Sequence, residues 1–172
     1  MRGRKLAYIV LALFSALMVY AAYSDLKSYT LPNFISLLLV GGFVVIMLIL
    51  QPPLSAIGWH VGVGGILFVI GFILFATGLF GGGDVKVIAA LGLWLGPLNV
   101  LSFLTLMTIF GGVLALALLV FRKIEIPQHW LENSAIAGLH SKEEGIPYGV
   151  AIALAALIEF PKTEVFKGFS ML

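Results

Sequence analysis

Apolar residues run along this chain in six blocks, each closed by a short break carrying glycine, proline or charge. A helix needs about 20 apolar residues to cross a hydrocarbon core of about 30 Å, so the blocks predict membrane helices. They cover about residues 6–23, 34–50, 57–80, 85–95, 98–121 and 146–160. "QPP" at 51–53 stops the second, because proline cannot continue a helix. Gly96 and Pro97 part the fourth from the fifth. Arg122 and Lys123 close the fifth, and Pro161 closes the sixth. The fourth and sixth are too short to cross squarely, which points to helices that begin at membrane depth, where backbone lines a cavity. The pattern predicts an all-α, polytopic membrane protein with about six transmembrane helices, forming one membrane-embedded domain over residues 1–172.

Two stretches qualify that pattern. The opening "MRGRKLAYIVLALFSALMVYAAYSD" has the basic head, apolar run and small residues of a secretory signal. Its apolar run is longer than a signal core, and apolar blocks continue after it, so it reads as an uncleaved first membrane helix. Residues 123–145 form the long polar stretch. Within it "PQHWLENSAIAGL" predicts a short amphipathic helix, with Pro127 in a first-turn position and Trp130, Leu131, Ile136 and Leu139 at the lipid interface.

Composition narrows the class further. Of 172 residues, 61% are hydrophobic and 10% charged. A soluble domain is nearer half apolar and a quarter charged, so the lipid bilayer is the expected solvent. The net charge of +2 is too small and scattered to suggest nucleic acid. The chain has no cysteine, which excludes disulfides, thiolate metal sites and cysteine nucleophiles. His60, His129 and His140 are too far apart to read as a metal site, and no cofactor is expected.

Against this background two acids stand out. Asp25, in "AAYSDLKSYTLPN", ends the first block, and Asp84, in "FGGGDVKVIAALGLWLG", opens the fourth. With six crossings both lie near one membrane surface. An ionisable residue at membrane depth is costly and is a functional candidate by default. The plain alternative is a pair of boundary acids: Asp84 capping the helix after it, with Lys27 and Lys86 as counter-ions. Gly81, Gly82 and Gly83 let backbone or substrate approach closely. Gly92 and Gly96 share one helix face and permit tight helix packing.

Two carboxyls and close-packed backbone are what peptide hydrolysis without metal, serine or cysteine requires. Carboxyls within a few ångströms of each other resist double ionisation, so the pair holds one proton. The ionised member takes a proton from water, and the protonated member donates to the developing oxyanion. Such a pair titrates as a unit.

Three motifs in order resemble the type IV prepilin peptidase family. "GGGDVKVIAALGLWLG" resembles its GxGD-x-K element, with Gly81, Gly83, Asp84 and Lys86 in register. "DLKSYTLPN" resembles an Asp followed by Pro-Asn, here Asp25, Pro32 and Asn33, with Leu31 where isoleucine is usual. "GIPYGVAIALAAL" resembles the "PYG-x-A" stretch, with Pro147 and Tyr148. The resemblance implies an aspartic endopeptidase that uses Asp25 and Asp84 without a cofactor. Its substrate would be a prepilin-like membrane protein with a short basic leader. Asp25 follows the first helix directly and there is no CxxC insert, which resembles the short branch that processes Flp/Tad-type pilins, without methyltransferase activity. The implied location is the inner membrane, with the acids facing the cytoplasm.

Charge does not decide that orientation. Lys27, Lys86, Arg122, Lys123 and Lys142 fall on the acid side, and Arg2, Arg4, Lys5, Lys162 and Lys167 on the other. Glu125, Glu132, Glu143 and Glu144 are candidates to hold a basic leader, or plain solvated loop charges. Pro32 and Asn33 start the second helix, with Asn33 in reach of Asp25. Lys86 tunes an Asp or pairs with lipid phosphate, and Tyr148 lines the site or sits at the interface. Ser24, Ser28 and Tyr23 flank Asp25 without an evident base for a serine nucleophile.

Two other readings compete. One is a small non-enzymatic carrier of ions or protons that uses Asp84. The other is a presenilin-like protease, from which the "YSD" spacing and the missing Pro-Ala-Leu element depart.

Overall fold

The computed structural model describes residues 2–131, 134–141 and 145–170, and every element among them is helical. The order is α1 (Arg2–Ser28), α2 (Asn33–Leu50), α3 (Leu54–Ala76), α4 (Gly82–Phe121), α5 (Gln128–Leu131), α6 (Ser134–His140), α7 (Tyr148–Glu159), a 3₁₀ turn (Phe160–Lys162) and α8 (Glu164–Ser170). Proline sets two helix starts: Pro32 precedes α2 and Pro53 precedes α3, each with an extended ψ near 140°. The amphipathic helix expected in the polar stretch is seen as helix over α5 and α6, and the two residues between them lie outside the described residues. Trp130 is exposed, whereas Ile136 and Leu139 are half-buried; the side chain of Leu131 lies outside the described residues.

Among the described residues, four helices are long and apolar enough to cross a membrane: Gly3–Ser28, Asn33–Leu50, Leu54–Ala76 and Gly82–Phe121. The expected count of about six is not established by these lengths. The fourth and fifth blocks join as the 40-residue α4. The sixth block is the 12-residue α7, about 18 Å long.

Yet α4 is not one rod. Gly96 breaks it with φ 62° and ψ −173°, just before Pro97, which has no N–H to offer. That φ is open to glycine and strained for other residues. The imidazole of His60 fills the space a side chain at Gly96 would take, and its Nδ1 lies 2.6 Å from the Leu93 carbonyl. A straight helix would hold Gly82 and Gly111 about 44 Å apart. Instead the ring of Tyr148 packs on both Gly111 and Phe80. The chain therefore turns back at Gly96, and α4 runs as two antiparallel arms.

The first arm is the centre of the bundle. It packs along α3, where Gly92 meets Gly64 so closely that an added Cβ would lie 3.1 Å from the Gly64 Cα. This is the close packing expected of small residues one turn apart. Trp94 points the other way and donates its indole N–H to the Leu39 carbonyl of α2 at 2.9 Å. Its ring also meets Phe14 and Phe160 edge-on. Apolar side chains pointing outward, such as Leu37, Leu48, Ile66 and Leu116, are what a lipid-facing bundle presents.

Candidate active site

Asp25 lies one turn before the end of α1 and is buried, with 4% of its surface exposed. A carboxylate in that place needs donors. The backbone N–H of Gly149 donates to its Oδ2 at 2.6 Å. Gly149 is in the first turn of α7, whose N-cap is Pro147. First-turn N–H groups have no partner within their own helix and carry the positive end of the helix dipole. Asp25 thus caps α7 from a different helix. Glycine is needed at this contact: a Cβ at Gly149 would stand 2.8 Å from the Asp25 oxygen.

Asp84 is half-buried in the first turn of α4. The N-cap is Gly81, three residues earlier, and the Gly81 backbone hydrogen-bonds to the Asp84 carboxyl. This is the reach-back half of a capping box. The sequence predicts a capping role for Asp84, and the residue fills it from the third helical position rather than from the cap itself. Capping does not exhaust its surroundings, because Asp84 lies close enough to Asp25 for their charges to interact. The two acids, 59 positions apart in sequence (84 − 25), share one end of the bundle.

The remaining motif residues tie these elements together. Gly83 abuts the turn before α2: a Cβ there would lie 2.8 Å from the Leu31 carbonyl oxygen. Pro32 is the N-cap of α2. Lys86, in the second turn of α4, donates to Asn33 Oδ1 at 2.8 Å and so clips α4 to the first turn of α2. This corrects two expectations. Lys86 is not an ion-pair partner of Asp84, and Lys27 is not one of Asp25. Lys27 lies over the Tyr23 ring, 5.9 Å from its centroid. Asn33 bonds Lys86 rather than the surroundings of Asp25. Among the described residues neither acid has an ion-pair partner.

Tyr148 is half-buried beside Asp84, within reach of its charge. Pro147 is buried behind it. The hydroxyls near Asp25 are committed elsewhere: Ser24 donates to the Thr30 carbonyl at 3.1 Å and Ser28 to the Ser24 carbonyl at 2.8 Å. Glu125 is exposed, and Glu132, Glu143 and Glu144 lie outside the described residues. His140 bonds the Ile124 carbonyl, and His129 stacks edge-on against Trp130.

Two contributors escape a reading of the sequence. Gly149 sits within the "PYG" motif, but its contact with Asp25 spans 124 positions (149 − 25). Gly111, a glycine among many in an apolar helix, receives the Tyr148 ring. Only the second signal is absent from any motif.

The site holds two acids at the first turns of two helices, within reach of each other's charge, with Tyr148 within reach of the charge of Asp84. No curated protein and no solved structure matches the chain. The type IV leader peptidase family matches residues 12–116, a span that contains both aspartates, the Pro32–Asn33 turn, Lys86 and Gly111. On that match, the chain belongs to the type IV leader peptidase family.

Proposed function

We propose that this protein is a membrane aspartic endopeptidase that removes the basic leader of Flp/Tad-type prepilins and does not methylate the product. Asp25 and Asp84 are its two catalytic groups. The observation that supports this most is the meeting of two acids, each held by a helix N-terminus and neither neutralised by a cation among the described residues. A carboxyl paired with a lysine would be a poor proton acceptor, whereas two carboxyls facing each other share a proton.

In the reaction the ionised carboxyl takes a proton from water. The water oxygen bonds to the scissile carbonyl carbon, and the carbonyl electron pair moves onto oxygen. The protonated carboxyl then gives its proton to the amide nitrogen as the C–N bond breaks and the electron pair returns. One proton enters the pair and one leaves, so the site is restored. The rate should fall at both low and high pH, where the pair holds two protons or none.

The reading favours a cytoplasmic site, because a basic leader waits on that side of the inner membrane. The absence of cysteine supports a peptidase without the CxxC-bearing methyltransferase part. The test is direct. Protein in nanodiscs is incubated with a Flp-type prepilin and S-adenosylmethionine, and the products are weighed by mass spectrometry. A single cut behind the leader glycine with an unmodified new N-terminus is expected. An intact prepilin, or a methylated product, overturns the corresponding half of the reading.

A further inference from the structure

The acid pair offers the scissile carbonyl a single donor, the protonated carboxyl. When water adds to the scissile carbonyl, its oxygen becomes anionic and needs a donor. The protonated carboxyl supplies one hydrogen bond to it, and a second, fixed donor lowers the barrier further. Two backbone donors at the site are engaged, Gly149 with Asp25 and Gly81 with Asp84. Ser24 donates to Thr30, and Lys86 reaches away to Asn33.

Tyr148 is different. No hydrogen bond among the described residues engages its hydroxyl. Its ring is nonetheless held firmly. Phe80 meets it edge-on at 5.5 Å and 70°, an arrangement favoured by ring quadrupoles. On the other side it lies flush on Gly111, where a Cβ would come within 2.6 Å of the hydroxyl oxygen. Its backbone neighbour Gly149 is bonded to Asp25, while its phenol lies within the field of Asp84. Tyr148 is thereby fixed next to both acids: its chain neighbour bonds Asp25, and its ring lies against Phe80, four residues before Asp84.

Resting on the proposed peptidase reading, we infer that the Tyr148 hydroxyl donates a hydrogen bond to the scissile carbonyl oxygen as negative charge builds on it. A phenol, with an ordinary pKa of about 10, keeps its proton at neutral pH. It stabilises the oxyanion without competing for the proton that the aspartates exchange. Fixed donors aimed at developing charge lower the barrier without reorganising.

The test is Tyr148→Phe, which keeps the ring against Phe80 and Gly111 and removes the O–H. Cleavage of a Flp-type prepilin by the full chain in nanodiscs gives kcat and KM. The expected result is a loss of about 10²-fold in kcat with KM unchanged, since the bond forms only in the transition state. An unchanged kcat overturns the inference, and so does a raised KM with kcat intact, which would mark a ground-state contact. The two proposals fail separately. A wild-type protein that cuts no prepilin removes the peptidase reading, whereas an active wild type matched by Tyr148→Phe removes only the tyrosine.

Discussion

The two ends of the bundle each hold buried acid, and they treat it differently. At the end away from the aspartates, Glu159 closes α7 with 1% of its surface exposed. Its carboxylate accepts from Ser102 at 2.9 Å and Asn99 at 3.3 Å, and Lys162 pairs with it at 2.7 Å. Lone pairs and charge are both answered. At the other end Asp25 and Asp84 have helix N-termini and each other, with no cation paired to either among the described residues. A buried acid with a counter-ion and several donors is a fastener, because its charge is already matched and it has no proton to give. Two acids within reach of each other's charge, with no cation paired to either among the described residues, are what the proposed proton exchange requires. Both ends are joined by the same short helix: α7 offers Gly149 to Asp25 at its start and Glu159 to α4 at its finish.

The comparison can be broken at several points. The largest effect is expected from Asp25→Asn and Asp84→Asn. Each should lower prepilin cleavage by at least about 10³-fold and leave membrane insertion intact. Full activity in either would end the dyad. Gly149→Ala comes next. Its methyl would collide with the Asp25 carboxylate, so cleavage should fall steeply while thermal unfolding reports a loss of about 1–3 kcal/mol.

Glu159→Ala reverses that balance. It leaves the donors of Asn99 and Ser102 without their acceptor, which costs about 1–3 kcal/mol, yet the protein that remains folded should still cut. Lys162 is more than half exposed, so its share of that loss is minor. If Glu159→Ala abolished cleavage in fully folded protein, the fastener reading would be wrong. Asn33→Ala is expected to do least. It removes one exposed bond to Lys86, worth less than about 1 kcal/mol, and kinetics should show only a slight slowing.

Much of this was legible in the chain. The apolar blocks became helix, with the fourth and fifth joined in α4 across Gly96, because runs of that length in lipid have only helical hydrogen bonding available. Prolines 32 and 53 marked helix starts because they fix φ. Asp25, Asp84 and the "PYG" motif could be picked out, since charge and glycine are conspicuous against an apolar background. The partners of the lysines could not. Lys27 and Lys86 stand two residues after their acids, and proximity in sequence suggested counter-ions. On a helix, residues two apart point to different sides, and Lys86 was carried to Asn33.

The amino-acid sequence by itself determined the solvent, the helices and the short set of residues able to carry chemistry, because these follow from local periodicity and side-chain type. That α4 folds back at Gly96, that Gly149 rather than a lysine answers Asp25, and that Tyr148 lies against Gly111 came from the assembled bundle. Each of those depends on which distant surfaces fit together, and fit between helices is a property of packing that no local pattern encodes.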